Sequence, residues 1–205
     1  MSQYKALIFD LGKVVFDVSF GFAFDRWAVH AGMEQQQVKK KFRFDEFYER
    51  FERDEISPEE YAAHVSSLIG YSLSQEQFED GWNNIYLDEF PGIKRLLTAL
   101  QKNYRLVALT NTNRVHAKIW PARYADTLAC FETVLSSHEL KMRKPEARFY
   151  QAAIDSLGIP VNEIIFLDDR QENIVAAEAT GMKGILVHSS GQMTEALGQN
   201  GINYQ

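Results

Sequence analysis

Four polar clusters hold the residues of this sequence that could do chemistry, and each lies beside an apolar run or a helix start. Asp10 closes the run Ala6-Leu7-Ile8-Phe9 and is followed by Leu11 and Gly12. Thr110-Asn111-Thr112-Asn113 follows Arg105-Leu106-Val107-Ala108-Leu109, and Asp168-Asp169 follows Ile164-Ile165-Phe166-Leu167. Arg143-Lys144-Pro145 precedes a helical stretch. A lone carboxylate at a strand end is costly for structure and useful for chemistry, as a nucleophile or as a ligand for a hard cation. Hydroxyls, amides, a lysine and further carboxylates complete a set suited to phosphoryl transfer. That reaction needs positive charge and donors around the equatorial oxygens and a nucleophile in line. Gathered carboxylates repel one another unless a cation sits among them. Mg2+ fits, because it takes oxygen ligands and keeps several waters.

Such a set works only if the chain brings it together. The runs 6–9, 105–109, 164–167 and 184–187, and a shorter one at 133–135, are apolar without alternation. They read as strands covered on both faces, hence as a parallel sheet. Stretches 93–102, 145–157 and 172–180 have helical spacing, and Gly158 and Gly181 suit the stops of the last two. From about residue 90 strands alternate with helices, as in βαβ units. In such a sheet ligands bind at the C-terminal strand ends, so all four clusters can converge on one edge. Residues 18–88 differ. They are rich in aromatics and charges and show no convincing strand. Ser57-Pro58-Glu59-Glu60 and Ser74-Gln75-Glu76-Gln77 read as capped helix starts, and Gly70 as a stop. The expectation is a three-layer, Rossmann-like α/β core over 1–17 and 89–205. A lid of four or five short helices over 18–88 is inserted after the first strand.

The chain has 205 residues, 45% of them hydrophobic, enough for one core domain with a modest insertion. With 22 basic and 28 acidic residues its net charge is −6, which disfavours nucleic acid and anionic membrane as partners. No stretch has the length of an apolar membrane span, the N-terminal residues do not read as a signal peptide, and the single Cys130 excludes an intrachain disulfide. A soluble cytoplasmic protein acting on a small phosphorylated metabolite is the expectation, with oligomeric state open.

The order Asp, then Thr, then Lys-Pro, then Asp-Asp resembles the haloacid-dehalogenase-like hydrolase superfamily over essentially the whole chain. The strings Phe9-Asp10-Leu11-Gly12, Leu109-Thr110-Asn111-Thr112-Asn113-Arg114, Met142-Arg143-Lys144-Pro145-Glu146 and Phe166-Leu167-Asp168-Asp169 are similar in particular to bacterial sugar phosphatases of the alpha-D-glucose-1-phosphate phosphatase type. The phosphatase domain of soluble epoxide hydrolases is a more distant relative. The resemblance implies a Mg2+-dependent phosphatase. Asp10 attacks phosphorus and also binds the metal; Thr110 and the Asn111 amide bind phosphate, and Lys144 neutralises charge. Asp168 and Asp169 hold Mg2+, with Asp169 favoured as the direct ligand. Asn113 and Arg114 are candidates for substrate contact or for bracing the phosphate loop.

Gly12 departs from the family pattern, which places an Asp there as general acid and base. The family uses the backbone oxygen at this position as a metal ligand, so metal binding should survive while proton transfer is lost. Losing a general acid typically costs about 10²–10⁴-fold in rate. A sugar 1-phosphate leaves more readily than an ordinary alkoxide, and the similar sugar phosphatases also carry glycine here. Two rivals remain open. One is a metal-independent 2-haloacid dehalogenase, against which Gly12 and the Asp168-Asp169 pair argue. The other is a phosphosugar-binding protein without turnover. Arg43, between Phe42 and Phe44, reads as a solvated lid residue or as a contact to the sugar or phosphate, and His116, Trp120 and Tyr48 read as packing or surface residues. Phe20, Phe22, Phe24, Trp27, Phe42, Phe44 and Phe47 read mainly as lid core, with room for one or two of them in the pocket wall.

Overall fold

The computed structural model of the protein describes residues 3–204. Five parallel strands form one sheet in the order β5-β4-β1-β6-β7. They are β1 (Ala6–Phe9), β4 (Arg105–Thr110), β5 (Thr133–Ser136), β6 (Ile164–Asp168) and β7 (Lys183–Leu186). The missing alternation has its expected cause. Leu7 and Phe9 enter a cluster on one face with Ile165 and Leu167, while Ala6 and Ile8 enter a second cluster with Ile164 and Phe166 on the other. Helices cover both faces, including Ala147–Leu157 and Gln171–Ala179. Leu96, Leu97 and Leu100 of helix Ile93–Leu100 pack into the first cluster.

Register sets the site. Phe9 pairs with Ala108 on one side and Leu167 on the other. Asp10, one residue on, therefore comes level with Asp168 and one short of Thr110, and its N–H donates to the Leu167 carbonyl at 2.8 Å.

Within residues 18–88 the chain forms five α-helices: α1 (Phe20–Ala31), α2 (Gln35–Lys41), α3 (Glu46–Glu52), α4 (Pro58–Ile69) and α5 (Gln75–Trp82). Ser57 and Glu60 close a reciprocal capping box at the start of α4, and Ser74 and Gln77 close another at α5. Gly70 ends α4 at φ 77°, a left-handed conformation that favours glycine. Two strands escape the sequence reading. β2 (Phe16–Val18) and β3 (Tyr86–Glu89) pair antiparallel in a ribbon where the helical insertion leaves and rejoins the core. Each is only three or four residues long, too short for a period-2 signal to stand out.

The helices have their own apolar core. Trp27 and Trp82 stack at 5.7 Å and 5°, and Phe42, Phe51, Tyr61 and Phe78 surround them. Burying one such phenylalanine contributes about 1.5–3 kcal/mol. Three expected members of this core are corrected: Phe22, Phe44 and Phe47 are exposed, because they sit on the outward sides of α1 and the segment around α3.

Gly81 shows how tight this packing is. A Cβ there would lie 2.3 Å from Nε1 of Trp27, whose indole is fully buried and donates to the Phe78 carbonyl at 3.1 Å. Gly198, in helix Ser190–Gln199, has nothing within 4 Å of its Cβ position. Gly81→Ala should therefore destabilise by about 1–3 kcal/mol through overpacking. Gly198→Ala should stabilise by up to about 1 kcal/mol through helix propensity. Urea unfolding of the two variants checks the opposite signs.

Candidate active site

Lys144 is the centre of the arrangement. Its ammonium lies 2.8 Å from Asp10 Oδ1 and 2.8 Å from Asp168 Oδ2, and its side chain is 1% exposed. Asp168 is wholly buried. Besides Lys144 it accepts from Asn173 Nδ2 at 2.9 and 3.0 Å and from the Arg170 N–H at 2.8 Å. Asp169 is half-buried beside it, and one carboxylate oxygen from each of Asp10, Asp168 and Asp169 lies within 4.8 Å of the others. Three carboxylates against one ammonium leave two negative charges uncompensated. Burial pushes the Asp10 carboxyl up to about 7, against the pull of Lys144, and Asp168 adds to the push. Asp169 is raised as well, by burial and then by Asp168. Burial alone would lower Lys144, but Asp10 and Asp168 hold it above the ordinary lysine range. The all-oxygen donor set and its charge suit a hard divalent cation.

The loop carrying Lys144 is clasped by Asn111. The Asn111 carboxamide accepts from the Lys144 N–H at 2.8 Å and donates to the Lys144 carbonyl at 3.0 Å. Asn111 thus ties the end of β4 to the lysine with its side chain. Thr110, 5% exposed, ends β4 in the wall of the same pocket.

The pocket encloses about 190 Å³. Asp10, Gly12, Thr110, Asn111, Lys144 and Asp169 line it from the core, and Phe20, Tyr48 and Glu52 from the lid. The structure brings seven of the nine candidate site residues together: Asp10, Gly12, Thr110, Asn111, Lys144 and Asp169 in the wall, and Asp168 directly behind them. Asn113 and Arg114 lie elsewhere. Asn113 Oδ1 accepts from Trp82 Nε1 and from the N–H groups of Val115 and His116, so this side chain braces the turn and the lid. Arg114 is exposed and paired with Asp54 of the lid.

Tyr48, His116 and Trp120, expected as packing or surface residues, all reach the pocket wall. His116 stacks on Trp82 at 4.9 Å, its Nδ1 accepts from Asn113 Nδ2 at 3.1 Å and its Nε2 donates to the Trp82 carbonyl at 2.9 Å; burial pushes it down to about 3, so its ring is neutral at pH 7. Arg43 is exposed and donates to the carbonyls of Lys40 and Phe42. Glu52 was hidden in the charged string Glu52-Arg53-Asp54-Glu55, which reads as a solvated face. The available signal is spacing: Tyr48, Phe51 and Glu52 stand at i, i+3 and i+4, one helix face, and Phe51 is fully buried.

A family model described as haloacid dehalogenase-like hydrolase matches residues 4–181. The chain belongs to this family. A sesquiterpene phosphatase of Aspergillus oryzae is 28% identical over 190 residues, covering 90% of each chain. A drimenol cyclase of Aspergillus calidoustus is 23% identical over 202 residues, 94% of this chain, but the match spans only 36% of the cyclase. Among solved structures, a family enzyme of Bacteroides thetaiotaomicron is similar with a TM-score of 0.80 at 25% identity, covering 95% of this chain and 98% of that one. The same wild-type enzyme has been crystallised with magnesium and inorganic phosphate, and that form matches at a TM-score of 0.77 and 26% identity, over 91% of this chain and 96% of that one.

The Asn111 clasp carries a testable energy. Asn111→Ala removes the partners of two backbone groups at Lys144. The expected loss is about 1–3 kcal/mol of stability, checked by chemical denaturation.

Proposed function

We propose that the protein is a Mg2+-dependent phosphatase for small phosphate monoesters, with sugar phosphates, and sugar 1-phosphates above all, as substrates. The observation that carries this reading is Lys144 held between Asp10 and Asp168 beside Asp169, in a pocket walled by Thr110. The magnesium and phosphate bound by the Bacteroides enzyme support the metal and the phosphatase chemistry, and the sesquiterpene phosphatase from Aspergillus oryzae supports the phosphatase chemistry; the sugar part rests on Gly12.

In this reading an Asp10 oxygen forms a bond to phosphorus as the bond to the leaving oxygen breaks, giving an aspartyl-phosphate. Lys144 fixes the Asp10 rotamer and offsets phosphate charge, while Thr110 donates to a phosphate oxygen. Water then attacks the aspartyl-phosphate, releasing inorganic phosphate and restoring Asp10. Asp10, Asp169 and the backbone oxygen of Gly12 would hold the metal directly. Asp168 is assigned the outer role because Lys144, Asn173 and the Arg170 N–H already engage its oxygens. Mg2+, when bound, supplies positive charge to the phosphate oxygens and to Asp10.

With Mg2+ and a panel of phosphate esters the protein should release phosphate, and Asp10→Asn should abolish the release. Turnover that survives in Asp10→Asn, or none at all in the wild type, would remove this reading. Chloride release from a 2-haloacid without metal would favour the dehalogenase instead.

The leaving group gives a second test. Gly12 offers no acid, and its Cβ position meets only Val18, at 3.4 and 3.9 Å, so the backbone there does not demand glycine. Wild-type kcat/KM should favour sugar 1-phosphates over 6-phosphates. Gly12→Asp should narrow that preference by about 10-fold or more by supplying a proton donor to the poorer leaving group. Equal wild-type rates for the two classes would sink the leaving-group argument.

A further inference from the structure

The phosphate end of the pocket is built by the core, and the opposite wall contains a charge that the proposed chemistry does not use. Glu52 projects from the last turn of α3, is 2% exposed and lines the same cavity as Asp10 and Lys144. Arg143 Nε donates to its Oε2 at 2.8 Å, and the Tyr48 hydroxyl donates to the carboxylate. Arg143 spends a further donor on Glu49, at 3.2 Å. A carboxylate offers about four acceptor sites, so two donors do not saturate Glu52.

Other charges on this side of the lid have purely bracing positions. Asp54 pairs with Arg114 and Lys141, and Arg53 with Glu146, and none of these five residues lines the cavity. Those pairs already pin the lid to the core. Glu52 differs in facing the space that a leaving group would occupy. A buried anion close to a phosphate dianion is unfavourable unless something donates hydrogen bonds to it. Ester hydroxyls are such donors. Phe16, Val18, Phe20 and Ile85 also line the cavity, and these apolar side chains by themselves would accept an apolar group.

We infer that Glu52, positioned by Arg143 and Tyr48, is a specificity-determining residue that accepts hydrogen bonds from hydroxyls of the leaving group and so selects polyhydroxylated phosphate esters over apolar ones. This rests on the phosphatase reading and deepens it. Sites built to bond a substrate hydroxyl strongly reject the analogue that lacks it, because their own polar groups are left unpaired.

The experiment compares hexose 6-phosphates with cyclohexylmethyl phosphate, a ring of the same size on the same primary oxygen but without hydroxyls. Leaving-atom chemistry is thereby held constant. With Mg2+, wild-type kcat/KM should favour the hexose esters by about 10- to 100-fold, and Glu52→Gln should lower that ratio about 10-fold. The change should appear chiefly in KM for the hexose esters. A purely structural role for Glu52 would depress both substrates together and leave the ratio in place, which would overturn the inference. The wild-type ratio decides the matter even if Glu52→Gln does not fold: comparable turnover of both esters overturns the inference while leaving the phosphatase reading intact. Turnover of neither ester overturns the inference, and no turnover of a sugar 1-phosphate either overturns both.

Discussion

Everything at the sheet edge depends on one buried ammonium. Lys144 lies between Asp10 and Asp168 at 2.8 Å from each, and without it two carboxylates from neighbouring strands would face each other in a site nearly closed to water. Each member of this contact is fixed by something else. The register of β1 against β6 brings Asp10 level with Asp168. Asn173 and the Arg170 N–H lock the Asp168 carboxylate, and Asn111 holds both backbone groups of Lys144. Three strands and a loop thus converge on a single charge. Side chains held by packing and surrounding hydrogen bonds suit electrostatic catalysis, because little reorganisation is needed when charge develops.

The lid meets this core in two ways. Its aromatic core runs on into the core domain through Trp82, which stacks on His116 and donates to Asn113. Beside that contact lies a line of ion pairs from α3 and the residues after it. Exposed pairs of this kind contribute little individually, whereas Glu52 with Arg143 is buried and so costs desolvation of both ions. Two better-packed apolar residues could join lid to core at that point without such a cost. A charged pair retained there, with one partner facing the pocket, is what a recognition role explains and a bracing role does not.

The sheet was legible because its strands are buried on both faces and therefore stand out as apolar runs, from Ala6–Phe9 to Ile164–Asp168. Asp10, Thr110, Asn111, Asp168 and Asp169 were legible as candidates because they follow those runs directly, and Lys144 because it stands just before a helix start. Residues whose placement depends on tertiary packing were not. Asn113 and Arg114 adjoin Thr110 in sequence, yet the chain turns after Asn111 and directs them to the lid. Tyr48 and Glu52 lie about forty positions from Asp10 and reach the pocket only because α3 docks over the strand ends. The ribbon of β2 and β3 is too short to carry a pattern of its own. Cap boxes at Ser57 and Ser74, by contrast, are local chemistry and could be read directly.

Gly12 and Glu52 divide the question of substrate between them. A glycine forced by backbone strain would say nothing about the leaving group, but the Cβ space at Gly12 is open apart from ordinary contact with Val18, and its φ lies outside the left-handed region. Backbone conformation and Cβ space therefore do not by themselves require glycine here. Glu52, the lid carboxylate among the described residues of the pocket wall, is held by Arg143 and Tyr48, which donate to it, while burial pushes its carboxyl up. On the proposed phosphatase reading, a pocket with an acceptor for hydroxyls and no acid at position 12 suits an ester that is polar in its leaving group and labile at its phosphate. A sugar 1-phosphate satisfies both conditions; an apolar alcohol ester satisfies neither.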